Sequence, residues 1–479
     1  MTVFSLLKKS FIWRTLALVI QFLLLSVYAR IFSPEIFGLI TSVVVIISFF
    51  QLVLEGGMSV AIIEQKKISS RERDGVFTSC SLIGLLLFVV LTFLSDDISD
   101  YYDNKEISEI VQFMAPIILF YSLTVVPLAS LNKDCKFSLI NIGEILSELI
   151  SFALVWACYF KLNFNPEICL ALKYLAYAIL RCMLLYTFSY FTDLGMPKVG
   201  GNLSYVMHLF KFGKYQFAST FVNYLSRNLD TFLIAKSFGT YSVGIYDKAY
   251  QLMKYPIIIL TFSIMPALQP AIKKSGLDLK EIEVLHRKFF SITFFIAIIT
   301  SFFIWANASS IVLILFGDQW GDAADIIKIL CLAIPVQVVL SSSSPFIISA
   351  QKPKFVLISS AMSSFVTIFS IIISVKSGEL TNVAYAIVIA FNINAIQTYY
   401  IMYRYVFLCS INNLLINILY ILSFSTYLCL FYYTLSSFFE LDSLFLNVFV
   451  NFIVAIFCII LHFPVFNRVK ARFNNEFNL

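Results

Sequence analysis

Apolar runs of about 20 residues, the length a helix needs to cross a bilayer, recur along this whole chain. They leave no soluble fold open to it. Of its 479 residues 60% are apolar and 13% charged, with a mean hydropathy of +0.88, too little polar surface to clothe a soluble globule of that size. The runs cover residues 10–31, 37–63, 77–95, 108–131, 137–160, 166–190, 209–238, 241–268, 289–316, 322–348, 355–375, 382–405, 412–433 and 445–466. The chain therefore reads as an all-α polytopic membrane protein with about 14 transmembrane helices. Residues 1–9, MTVFSLLKK, are basic and precede an apolar run, as in a signal peptide. That run is long enough to span, lacks a small-residue cleavage site and is followed by many more, so it reads as the first span.

Charge orients the bundle. With the N-terminus placed in the cytoplasm, 22 of the 34 basic residues fall in loops on that side and 5 on the other. Such a bias fixes both termini inside. The outer loop SDDISDYYDNKE is acidic, in keeping with this. The net charge of +6 is thus explained by topology and calls for no nucleic-acid partner.

An internal repeat accompanies the topology. At an offset of 206, Lys8 aligns with Lys214, Arg30 with Lys236, Phe32 with Phe238, Gly38 with Gly244 and Lys67 with Lys273. RIFSPEIFGLI thereby meets KSFGTYSVGIY, each at the outer turn after the first helix of a half. Six spans per half make the repeats parallel, about an axis along the membrane normal, as in transporters. The expected organisation is an N-terminal six-helix lobe at 1–190, a connector at 191–206 and a C-terminal six-helix lobe at 207–406. Two extra helices and a basic cytoplasmic tail complete it at 407–479.

Ionisable residues within spans are costly and mark functional sites or pairs. Glu144 and Glu148 share a helix face at i, i+4, at heights similar to Arg181 and Lys173, and pairing of Glu144 with Arg181 and Glu148 with Lys173 is expected. Arg14 and Glu55 lie near the cytoplasmic ends of the first two helices and are gating candidates, with Gly56 and Gly57 as a helix break; simple snorkelling of Arg14 is the plainer alternative.

The hairpin 211–250, KFGKYQFASTFVNYLSRNLDTFLIAKSFGTYSVGIYDKAY, carries the charges hardest to neutralise. Counted from its outer turn, Asp230 and Lys248 lie about 12 and 10 Å deep and can pair, with Asp247 close by. Arg227 and Lys254 sit deeper, about 16 and 20 Å, near the midplane. Cations there suit a phosphate or other anion, and Pro256 is a candidate helix break beside Lys254. Arg227, Lys254 and Lys248 are candidate substrate-binding residues; Asp230, Asp247 and Glu55 are candidates for ion coupling or charge pairing. A lock formed by Arg227 with Asp230 or Asp247 is the structural alternative.

The stretch NYLSRNLDTFLIAKSFGTYSVGIYDKAYQLMKYP, with LFGDQWGDAADIIKIL and FSPEIFGLITSVVVIISFFQLVLEGGMSVAIIEQKK, resembles Wzx-type polysaccharide flippases of the multidrug/oligosaccharidyl-lipid/polysaccharide exporter superfamily. The similarity runs through most of residues 1–405. It implies two six-helix lobes around a central cavity. It also implies alternating-access transfer of undecaprenyl-diphosphate-linked oligosaccharide from the cytoplasmic to the periplasmic leaflet of a bacterial inner membrane, for O-antigen, capsule or exopolysaccharide assembly. Arg227 and Asp230 in SRNLD, and Asp247, match the family's positions. The chain departs at Glu55, where many relatives carry aspartate, and over its last seventy or so residues. Implied partners are the lipid-linked oligosaccharide, membrane lipids and the polysaccharide polymerase machinery.

No GxxxxGK[ST] loop occurs, which argues against ATP hydrolysis. The three histidines are scattered, and the nine cysteines sit mostly in apolar runs as small core residues, so no metal or cofactor is expected. No catalytic residue is assigned. The rival readings are an ion-coupled small-molecule or drug antiporter of the same superfamily, and an integral membrane glycan polymerase or ligase. The antiporter would carry surplus acid at midplane; the enzyme would carry a long periplasmic loop.

Overall fold

The computed structural model describes residues 3–461, apart from 56–57, 66–67, 263–267, 269–271, 273–274 and 439–443. The Gly56–Gly57 break, the match of Lys67 with Lys273 and the basic tail lie outside the described residues. Among those described, every regular element is a helix. In order they are α1 (Val3–Ile31), α2 (Pro34–Glu55), α3 (Met58–Glu64), α4 (Ser70–Phe93), α5 (Ser95–Tyr102), α6 (Glu106–Met114), α7 (Pro116–Lys133), α8 (Phe137–Phe160) and α9 (Pro166–Phe188). Then come α10 (Tyr205–Phe262), α11 (Leu279–Ala306), α12 (Ala308–Leu315), α13 (Ala323–Leu330), α14 (Ile334–Ser349), α15 (Lys354–Val375), α16 (Leu380–Ile401), α17 (Asn412–Phe438) and α18 (Leu444–Leu461). Short 3-10 and π turns join some of them.

Ten segments, counted among the described residues, are long and apolar enough to cross a membrane, which makes this a multi-pass membrane protein. They coincide with ten of the expected spans. The other four fall on α17, α18 and the two arms of α10, whose charges dilute its hydropathy.

Several expected spans are more articulated than their hydropathy. The fourth is split at Ala115 into α6 and α7, the tenth at 331–333 into α13 and α14, and both second pieces open with a proline in the first turn, where its missing N–H costs nothing. Two short helices therefore follow the third long helix of each half. Both of those long helices, α4 and α11, begin with a reciprocal capping box, Ser69 with Glu72 and Asp278 with Glu281, which satisfies two otherwise orphaned backbone donors. The repeat is thus visible in helix punctuation as well as in matched residues.

The chain packs as two compact units, Met1–Asp247 with Ile371–Leu380, and Lys248–Ser370 with Thr381–Leu479. In the first, α8 packs on α9, α7 on α4 and α9, and α1 on α8. In the second, α11 lies against α14 and α17 around Phe290, Phe294, Phe346, Tyr399, Tyr403 and Phe407. The connector is bound to the first unit. Backbone N–H groups of Asn202, Lys198 and Gly200 donate to Arg71 O (2.9 Å), the Asp74 carboxylate (2.9 Å) and Thr78 Oγ1 (2.8 Å).

The two arms of α10 meet at Gly239, whose φ of +79° is open to glycine and strained for other residues. Beyond it the second arm crosses α2 at backbone contact. A Cβ built on Gly38 would lie 1.7 Å from Thr240 O, and one on Gly244 would lie 2.0 Å from Pro34 O. The contacts are reciprocal under the repeat: residue 34 meets 244, and 38 meets 240. Small residues permit such an approach, and van der Waals packing sustains it where lipid supplies no hydrophobic drive between helices.

Candidate functional site

The hairpin's charges differ sharply in their surroundings. Asp230 is 4% exposed; it accepts from Tyr246 Oη at 2.6 Å and from the Thr231 N–H at 2.7 Å. Hydrogen bonds of this kind make a buried carboxylate tolerable. Asp247 accepts from Thr41 Oγ1 at 3.4 Å. Tyr224 donates to the Val45 carbonyl, and its ring, with Phe221, lies against Phe49 of α2. The first unit therefore holds both acids on hydroxyl donors.

Arg227, three residues before Asp230 on α10, is exposed. It makes no ion pair or hydrogen bond among the described residues, so the alternative of a lock onto Asp230 or Asp247 is absent there. Lys254 is also exposed, with Nζ 4.4 Å from the centroid of Tyr250, a contact that favours a cation over a ring face. Lys248 is 1% exposed. Pro256 does not end the helix: α10 continues to Phe262. Neighbouring groups accommodate a proline in a membrane helix, and the backbone break lies at Gly239 instead.

The first unit contains a second charged cluster. Glu144 receives Arg14 Nη1 at 2.9 Å and Arg181 Nη2 at 3.6 Å, while Lys173 Nζ lies 3.2 Å from Glu148. Both pairs expected from helix heights are present, and Arg14 joins the first of them. Lys173 also stands over Tyr174 at 4.6 Å and Tyr28 at 5.8 Å. Glu55 accepts from Gln51 at 3.1 Å, one turn away on α2. The cluster has three cations against Glu144 and Glu148, and the Arg14 side chain is 38% exposed.

Sequence reasoning passed over Thr41 and Tyr246. The repeat offset could have found the first, since it carries position 41 onto 247; the second carried no signal beyond being an aromatic in a span. Cysteines follow expectation in part: Cys80, Cys169, Cys182 and Cys331 are buried, but Cys135 and Cys409 are exposed. Among the described residues no three His, Cys, Asp or Glu side chains are grouped to hold a metal. In the second unit Ile298, Ile299, Phe302, Phe303, Cys429 and Tyr432 line a small, partly open apolar pocket.

A family model described as "Polysaccharide biosynthesis protein" matches residues 27–325. The chain belongs to that family. Among other members of polysaccharide systems, it is 25% identical over 390 residues to the lipopolysaccharide biosynthesis protein WzxC of Escherichia coli K12, covering 79% of this chain and 76% of that one. It is 24% identical over 355 residues to the teichuronic acid biosynthesis protein TuaB of Bacillus subtilis 168, covering 72% and 71%. In fold it is similar to the lipid II flippase MurJ in an inward closed conformation, with a TM-score of 0.80 over 96% of this chain and 99% of that one at 16% identity. A multidrug MATE transporter of the MOP superfamily follows at 0.64, over 84% and 94% at 15% identity. The Wzx-type resemblance and the transporter fold expected from the sequence are borne out.

Proposed function

We propose that this polysaccharide biosynthesis protein flips undecaprenyl-diphosphate-linked oligosaccharide repeat units from the cytoplasmic to the periplasmic leaflet of a bacterial inner membrane, with both termini in the cytoplasm. The observation that carries this reading is Arg227, exposed on a helix at membrane depth with no carboxylate partner among the described residues. An unneutralised guanidinium there is expensive; a diphosphate that arrives with each cycle supplies the missing charge through paired hydrogen bonds. Lys254 and Lys248 are further candidate phosphate ligands.

Sugar hydroxyls and a diphosphate do not cross hydrocarbon at a useful rate, because each loses its hydration there. A wet path open to one face at a time removes that cost while the prenyl tail stays in lipid. The lobes 1–190 and 207–406 are the proposed moving halves. Arg14 and Glu55 contribute to the inner gate, and Asp230, Asp247 and Glu55 to ion coupling or charge compensation. The WzxC and TuaB relatives, named for lipopolysaccharide and teichuronic acid biosynthesis, support polysaccharide precursors as cargo; polymerase machinery is the further partner this reading implies.

The test is mass spectrometry of lipid-linked intermediates in a host lacking the gene, with staining of its surface polysaccharide. Single repeat units that accumulate while surface polymer disappears, without rescue by Arg227→Ala, support the flippase. The MATE-like fold gives the drug antiporter a place as second reading; persistent surface polymer with altered drug sensitivity would select it.

A further inference from the structure

The second unit contains a buried titratable cluster, around His286, made of residues other than those proposed above for transport. His286 on α11 is fully buried. Its Nδ1 lies 3.1 Å from Tyr403 Oη, while Nε2 has no hydrogen-bond partner among the described residues. Five rings surround the imidazole: Phe346 edge-on at 4.9 Å, Tyr399 and Phe407 at 5.7 Å, Tyr403 at 5.8 Å and Phe290 at 6.1 Å. On its own helix, which also carries Lys280, Glu281 and Lys288, the charged groups beside the cluster are Glu283, 9% exposed and facing Tyr403, and Arg287, 4% exposed and 3.1 Å from Glu283. Tyr399 and Tyr403 face the ring from α16 and the turn after it, Cys409 lies beyond them, and α14 presents the apolar Phe346.

Tyr403 belongs to a π-helical turn, Met402–Val406. Such turns are rare and concentrate at functional positions. Its carbonyls at Tyr405 and Val406 receive Lys352 Nζ at 2.8 and 3.1 Å. The turn thereby ties the end of α16 to the α14–α15 junction, directly over the histidine.

We propose that His286 is a proton-binding site whose occupation is linked to opening of the Met402–Val406 turn. The closed cluster has no acceptor for a second ring proton: Nδ1 already faces Tyr403 Oη, and Nε2 lies among the rings with no hydrogen-bond partner among the described residues. In an opened turn the ring meets water and titrates as an ordinary histidine, near pH ~6.5. Protons therefore bind the opened form preferentially, and acid favours opening.

The magnitude follows from linkage. With a site at ~6.5 in the open form and none available in the closed form, the opening equilibrium rises about tenfold between pH 7.5 and 5.5. Hydrogen exchange of the full-length protein in nanodiscs reads this directly at residues 402–407, after correction for intrinsic exchange rates. It needs no cargo, so its outcome is separate from the flippase reading. The expected result is the tenfold rise in the native protein and none in His286→Phe, which keeps an aromatic ring in the cage; if Phe is not tolerated, His286→Leu takes its place. A native protein without the rise overturns the proposal. So does a rise that survives without His286, which would assign the titration to Glu283.

Discussion

Thr41 donates a hydrogen bond to Asp247 across 3.4 Å, and the two residues are 206 positions apart, the spacing of the internal repeat. Gly38 and Gly244, one turn earlier on each helix, stand in the same relation and meet at backbone contact. Equivalent positions of two repeats touch only where a pseudo-two-fold axis passes between them, as in an isologous dimer interface. The crossing of α2 with the second arm of α10 thus brings equivalent positions of the repeat together.

This crossing has no room for side chains. Gly38→Leu and Gly244→Leu should each force the helices apart and destabilise the protein by at least about 1–3 kcal/mol, seen as a lower melting temperature in detergent. Gly200→Leu, where a Cβ meets nothing within 4 Å, controls for the loss of glycine itself; its φ of +119° makes any penalty there one of backbone strain.

Tyr246 supports Asp230. Tyr246→Phe leaves a buried carboxylate short of a donor, which costs about 1.5–3 kcal/mol. Asp230→Asn reduces that need, so the double variant should lose less than the sum of the single ones. Melting temperatures of the four proteins close the cycle, and strict additivity would count against the contact.

The Glu144 cluster is more consequential than its outer counterpart. Glu144→Ala removes the carboxylate that Arg14 and Arg181 both reach, and a loss of about 2–4 kcal/mol is expected, below the full cost of a broken buried pair because Arg14 is partly exposed. Asp103 pairs with Lys236 at 2.6 Å but is 80% exposed; Asp103→Ala should change stability by no more than about 1 kcal/mol.

Much of this arrangement was legible in the sequence, and the failures share a cause. Heights along single helices predicted the Glu144–Arg181 and Glu148–Lys173 pairs because their helices, α8 and α9, are consecutive and antiparallel. Arg14 joined Glu144 through the packing of α1 on α8, distant in sequence, which no helix-by-helix count contains. Alignment gave Gly38 and Gly244 as equivalents, yet equivalence says nothing of contact. Pro256 misled because the fate of a membrane proline depends on its neighbours, whereas Gly239 broke the helix through a φ that glycine readily adopts. His286 looked isolated because its cage comes from α11, α14, α16 and the turn after α16.

The central claim concerns Arg227, and its role in transport separates from folding. Arg227→Ala should lower flipping at least tenfold at unchanged melting temperature, while Arg227→Lys, which keeps the charge without the bidentate fork, should retain an intermediate rate.

The most direct measurement is a flipping assay in proteoliposomes, following undecaprenyl-diphosphate-linked oligosaccharide from one leaflet to the other. Transfer by the native protein that falls at least tenfold in Arg227→Ala, with both proteins equally inserted, is the predicted result. Equal transfer by the two, or none by a folded native protein, would contradict the account.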